Sequence, residues 1–231
     1  RYEKFFRQIL IEPIKKEAEK IKNRDVIIKA LWSKKEKRKL YIFGKRPGST
    51  SMYQPDESRF DIHDIKKSDF NDYEVTNVEE IDCDTLENLL FEKDVAMLDY
   101  LKIDTQGAEL EILKGLGKFS PLFIKVEAHI HSMYKNAPGW HELINYLYRL
   151  NYLVIDWKGI GKHNTRIPAE MDMIFIPNFN NEKGKRLIME NQKKFLSLLL
   201  IFGQINLLKI IIKKLKIEFK EVEKFQDFYF Y

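Results

Sequence analysis

The stretch YLKIDTQGAELEILKG, Tyr100 to Gly115, constrains the fold more than any other part of the chain. An apolar run stops at Asp104, a turn passes through Gly107, and an apolar pattern at helical spacing with two early glutamates begins at once. A strand that runs straight into a helix is half of a parallel-sheet unit, and the tips of such strands line the crevice where open α/β sheets bind ligands. An acid at a strand tip costs stability unless it is paired or used, so Asp104 is a candidate functional carboxylate. Gly107 lets the turn bring main-chain N–H groups close to a ligand, and Gln106 adds a neutral donor and acceptor. Glu109 and Glu111 sit where they offset the helix dipole, and Glu109 can also close the turn by hydrogen bonding.

The rest of the chain extends this unit. QILIEP (Gln8–Pro13) is a short apolar run ending in Glu12, and Pro13 suits the first position of a helix that continues through Ile14, Ala18 and Ile21. VIIKALW (Val26–Trp32) and KLYIFG (Lys39–Gly44) read as strands on either side of the charged turn SKKEKR. Residues 45–71 are rich in turn formers and read as a long surface loop. VTNVEEI is a strand, and DTLENLL opens a helix in which Asp84 caps and Glu87 reaches back as in a capping box. LFIKVEAHI is a strand, GWHELINYLYRLN an amphipathic helix, and YLVIDW and MDMIFIP two strands with no helix between them. The expected fold is therefore α/β, a mostly parallel sheet covered on both faces, with an antiparallel edge pair.

At 231 residues and 44% hydrophobic content the chain can bury one sizeable core. The expected division is a domain over residues 1–180 and a helical, Lys-rich extension over 181–231. Residues 182–231 carry 11 Lys/Arg against 6 Asp/Glu, which is the whole formal excess of +5. A balanced body with a basic tail argues against nucleic-acid binding and leaves peripheral membrane contact through the tail as an expectation beside a plain solvated face. Phe195–Ile212 is too polar for a membrane span. The single cysteine, Cys83, excludes an internal disulfide and fits a cytoplasmic setting. The chain opens at Arg1 on RYEKFFRQILIEP, which lacks the pattern of a signal peptide and reads as a sequence missing its beginning.

Three further groups could do chemistry. Glu12 ends an early strand, where a carboxylate can accept hydrogen bonds from both hydroxyls of a ribose; a surface glutamate ahead of a helix is the plainer alternative. Glu127, His129 and His131 alternate along one strand and share a face if it runs that far. They have the residue types of a metal site, yet three ligands on one strand rarely converge, so no metal is expected. Glu127 and His129 suit a substrate-facing role, with His129 as a general base. In the run DIHD, Asp61 to Asp64, a hydrated loop is the better reading.

YLKIDTQGAELEILKG, followed by IKVEAH, GWHELINYLYRLNYLVID and MDMIFIP, resembles the FkbM family of S-adenosylmethionine-dependent methyltransferases, whose most recognisable block is lKIDvEGaE..vLkG. ILIEP looks like that family's second strand with its acid, VIIKALW like the third, and LYIFGKRPGSTSMYQP like an inserted hairpin and Ser-rich loop; the likeness covers roughly residues 8–178. The resemblance implies a Rossmann-like class I methyltransferase sheet and transfer of a methyl group from S-adenosylmethionine to a hydroxyl of a sugar, glycan or other small molecule. Glu12 would hold the donor's ribose, Ala30 and Leu31 would approach its adenine, and Gln106 and Gly107 would contact it from the turn. Asp104 would lie between donor and acceptor as orienting group or base, with Glu127 and His129 on the acceptor side.

One departure from the family stands out: its first strand and glycine-rich turn, which hold the donor's amino-acid portion, have no counterpart before Gln8. A sheet lacking its first strand, and weak donor affinity for residues 1–231 alone, are the expectations that follow. Two other classes stay open. One is a non-catalytic α/β module that docks on a membrane or partner through its basic tail, and the other a metal-dependent hydrolase built on Glu127, His129 and His131.

Overall fold

The computed structural model describes residues 6–158 and 168–218. In chain order the regular elements are β1 (Ile9–Ile11), α1 (Lys15–Ala18), β2 (Asp25–Ile27), β3 (Ala30–Leu31), β4 (Glu36–Phe43), β5 (Val75–Asp84), α2 (Leu86–Glu92) and β6 (Tyr100–Ile103). There follow α3 (Glu109–Lys114), β7 (Phe123–His129), α4 (Trp140–Arg149), β8 (Tyr152–Lys158), β9 (Glu170–Pro177), α5 (Glu182–Glu190), α6 (Gln192–Ile201) and α7 (Ile205–Leu215). The end of the basic tail, residues 219–231, lies outside the described residues.

The strands form three sheets, ordered β1-β2, β3-β5-β4 and β6-β7-β9-β8. The expected mixed α/β class and the antiparallel pairing of the last two strands hold, but the strands do not form one mostly parallel sheet. Parallel pairing is confined to β1 with β2, β3 with β5 and β6 with β7, whereas β4–β5, β7–β9 and β8–β9 are antiparallel and carry the longer ladders. β9 pairs antiparallel with β8 and sits between it and β7, which it opposes as well, so this one inserted strand accounts for two of the three antiparallel pairings.

VIIKALW is not one strand. Ile28 is 48% exposed, and the run breaks there, with β2 joining the first sheet and β3 the second. Pro13 stands ahead of Ile14, the N-cap of a helix only four residues long, so the helix does not reach Ile21. The cap of α2 is Thr85, whose hydroxyl accepts from Asn88 N, because Asp84 is held in the β5 ladder opposite Leu31. Glu87 caps nothing on α2; its carboxylate accepts from Lys118 N at 2.8 Å.

Alternation on β7 and β9 divides the four-stranded sheet into two unlike faces. Val126, Ala128, Met173 and Phe175 meet Leu113, Leu143 and Leu147 of α3 and α4 in the main core. On the other face Phe123, Ile174 and Ile176 lie beneath Phe195, Leu199, Leu208 and Ile211 of α6 and α7, and Phe123 stacks on Phe202 at 5.1 Å between centroids. The C-terminal helices thus share a core with the sheet. Further along that face the same alternation brings Lys125, Glu127, His129, Glu170 and Asp172, so it turns from apolar to ionic as it nears the C-terminal tips of β6 and β7. Residues 45–71 are more than a surface loop: three short 3-10 turns place Phe60 and Ile65 against Phe43, Met133 and Tyr134 in a small core of their own.

Candidate active site

A cleft of about 170 Å³ opens at the C-terminal tips of β1 and β6. Glu12, Ala30, Leu31, Asp104 and Gln106 all line it, together with Lys29 and the segment Pro47–Met52. Glu12 and Asp104 therefore share one hollow although they come from different sheets. Glu12 is held by its own main chain, its N–H donating to Ile27 O at 3.0 Å and its Oε1 accepting from Ile14 N at 2.9 Å. Its second carboxylate oxygen accepts no hydrogen bond among the described residues. Ala30 and Leu31 are 2% and 9% exposed and form an apolar wall.

Asp104 forms an ion pair with Lys102 at 2.7 Å and remains part-exposed at the cleft rim. The turn behind it is organised by Glu109. This carboxylate, 2% exposed, accepts from Thr105 N at 3.0 Å, Thr105 Oγ1 at 3.1 Å and Gly107 N at 3.1 Å. The N–H of Gly107 is thus turned inward, a correction to the expectation that it faces a ligand. Gly107 is required for other reasons: its φ is +107°, and a Cβ there would press on Ala137 at 3.1 Å and Tyr53 at 3.2 Å.

Glu127 does not line the cleft, but Gln106, which does, donates from Nε2 to Glu127 Oε2 at 2.9 Å. Burial, and then the neighbouring charge of Asp104, push the Glu127 carboxyl up to about 8. Gln106 itself sits at φ +59°. Its carbonyl accepts from Ser51 Oγ at 2.6 Å and its Oε1 from the Tyr134 hydroxyl at 3.0 Å. Tyr134 also lies 2.8 Å from Ser49 O.

His129 is only 2% exposed, and neither ring nitrogen has a partner among the described residues. It is packed edge-on against Tyr134 at 6.0 Å between centroids, beneath the 45–71 segment and away from the cleft lining. His131 lies past the end of β7, its carbonyl 2.8 Å from His63 Nε2. The triad that alternates in sequence is therefore not a cluster in space, and among the described residues no group of three or more His, Cys, Asp or Glu could hold a metal ion.

Ser51, Tyr134 and Lys29 escaped the sequence reading. Ser51 belongs to a visibly hydroxyl-rich stretch; for Tyr134, 28 residues from Gln106, no local signal exists.

Acids at parallel strand tips, meeting over a partly apolar cleft, define a mixed α/β protein whose cleft lies where such folds carry ligand sites, at the strand ends. The family model of the methyltransferase FkbM domain matches residues 4–154, and the chain belongs to that family. No curated protein and no solved structure gives a significant match. Among the described residues no helix is long and apolar enough to cross a membrane.

Proposed function

We propose that the chain is an S-adenosylmethionine-dependent methyltransferase acting on a hydroxyl of a sugar, glycan or other small molecule. The observation that carries this reading is the shared cleft of Glu12 and Asp104. The lining fits the nucleoside end of such a donor: one carboxylate oxygen of Glu12 accepts no hydrogen bond from the described residues and suits a ribose diol, and Ala30 and Leu31 offer an apolar wall to a base. It fits the amino-acid end poorly, since the main-chain N–H groups of Thr105 and Gly107 are already taken by Glu109. The volume of about 170 Å³ is also below the roughly 300 Å³ at which pockets begin to enclose a drug-sized ligand. On this reading the β1-β2 and β6-β7-β9-β8 sheets are two parts of one Rossmann-like sheet lacking its first strand. Residues 1–180 form the methyltransferase domain, and 181–231 its extension, in a cytoplasmic protein.

When bound, the sulfonium donor supplies an already activated methyl group, so the protein's tasks are positioning, exclusion of water and removal of a proton. Asp104, at the junction of the cleft and the ionic half of the sheet, orients the acceptor hydroxyl. Glu127, joined to the cleft through Gln106, would receive the acceptor's proton as the donor supplies the methyl group. The sealed position of His129 argues against its acting as the base. Because Glu127 ionises near 8, turnover rises with pH up to that point and levels above it.

Saturation-transfer NMR at millimolar donor detects even weak binding. Transfer to the ribose protons of S-adenosylmethionine, lost in Glu12→Ala, is the expected result. No transfer from the wild-type chain refutes the reading and favours a non-catalytic module.

A further inference from the structure

We propose that Gln106 is a positioning residue whose side-chain amide turns over between two hydrogen-bond chains, one serving Glu127 as an ionised carboxylate and the other serving it as a neutral acid. Four heavy-atom distances carry this. Gln106 reaches Glu127 Oε2 at 2.9 Å, the Tyr134 hydroxyl lies 3.0 Å from the other end of the same amide, and Ser49 O lies 2.8 Å beyond that hydroxyl. Ser51 Oγ fixes the Gln106 carbonyl at 2.6 Å.

The Tyr134 hydroxyl has one proton and two acceptors within reach, so only one can be served at a time. With Glu127 ionised, the amide N–H donates to the carboxylate and the phenol donates to the amide oxygen. With Glu127 neutral, a half-turn of the amide lets the acid O–H donate to the amide oxygen, the amide N–H donate to the phenol oxygen and the phenol donate to Ser49 O. The heavy atoms keep their places in both arrangements, because the oxygen and nitrogen of an amide occupy nearly the same positions after a half-turn. Each link of the Glu127, Gln106 and Tyr134 chain pairs one donor with one acceptor in either state, which lets Glu127 change charge without moving its neighbours.

The main chain is fixed while the amide turns. Gln106 is held in the left-handed region and by Ser51, and Gly107 behind it is tied to Glu109. Tyr134 is 2% exposed, and burial keeps its hydroxyl well above the ordinary phenol range, so it stays protonated throughout. Asp104 from β6, Glu109 from α3 and Glu170 and Asp172 from β9 face Glu127 and favour its neutral form. Of these, Asp104 is offset by Lys102, and Asp172 by Lys125 at 2.9 Å.

The proposal deepens the assignment of Glu127 as proton acceptor, but its test is separate from methyl transfer. In the full chain, the Glu127 side-chain carboxyl carbon and the Gln106 side-chain amide are followed by NMR from acid to alkaline pH. The expected result is that both titrate with a common midpoint. Gln106→Met, which keeps length and removes both chains, raises the Glu127 midpoint by about one pH unit, because the charged form loses the stronger hydrogen bond. A stationary Gln106 amide across the Glu127 midpoint, or an unmoved or lowered midpoint in Gln106→Met, overturns the proposal. If that variant fails to fold, Tyr134→Phe decides: the two limiting amide shifts of Gln106 converge, whereas a titration identical to wild type refutes it. Failure of methyl transfer in the wild-type chain would remove the proposed function and leave these titrations standing.

Discussion

Replacing Glu127 by glutamine keeps the hydrogen bond from Gln106 and removes only the capacity to become charged. In the folded chain this carboxyl is moved from its ordinary 4.5 to about 8, first by burial and then by Asp104, Glu170, Glu109 and Asp172. At about 1.36 kcal/mol for each pH unit, the ceiling on its cost when ionised is about 5 kcal/mol. Glu127 is only half-buried, and solvent screening reduces this to roughly 2–3 kcal/mol. The unfolded chain releases the proton near 4.5, and the folded chain keeps it to about 8. Wild-type stability is therefore whole below 4.5, falls as pH rises between those values and is level above them. The glutamine variant escapes that loss. Urea denaturation at a series of pH values should show Glu127→Gln matching wild type in acid and exceeding it by roughly 2–3 kcal/mol at pH 9. A difference that does not vary with pH, or one favouring wild type as pH rises, would refute the reasoning that places Glu127 among acids in a poorly hydrated site.

Glu109→Ala strands the N–H groups of Thr105 and Gly107 in the interior and should cost about 3 kcal/mol in urea denaturation, with faster amide exchange at both positions. Gly184→Ala sets a methyl group against the Asn178 main chain, which cannot yield, and should lower stability by about 1–3 kcal/mol in the same assay; an unchanged midpoint would mean that α5 is not seated as described. Cys83 is fully buried and its thiol is pushed up to about 11, so a thiol reagent at pH 8 should label it only after denaturant is added.

What the sequence revealed was chemistry confined to a few neighbouring residues. The turn from Asp104 to Glu109 could be read because its donors and acceptor lie within five positions, and Glu109 closes it as the spacing suggests. The antiparallel pairing of β8 and β9 followed equally from the absence of a helical pattern in the sequence between YLVIDW and MDMIFIP. The insertion of β9 beside β7 did not, because it depends on contacts about 46 residues apart that leave no periodic trace. The cap of α2 was misjudged by one residue for a similar reason: Asp84 has the right side chain, yet a distant strand claims its backbone. Gln106 was assigned to a ligand because nothing near it announces Tyr134 or Glu127, the partners that occupy its amide.

The break in VIIKALW has a mechanical result. Ile27 is bonded to Glu12 and Ala30 is paired with Cys83, so Ile28 and Lys29 alone set the gauge between the sheet that carries Glu12 and the one that carries the Ala30–Leu31 wall of the hollow. A span that short has almost no slack, since two extended residues reach only about 7 Å. Lengthening it by a single residue would rotate Ala30 and Leu31 to the reverse side of their strand. Extra chain between β4 and β5 is absorbed by a small core of its own, whereas none can be accommodated here.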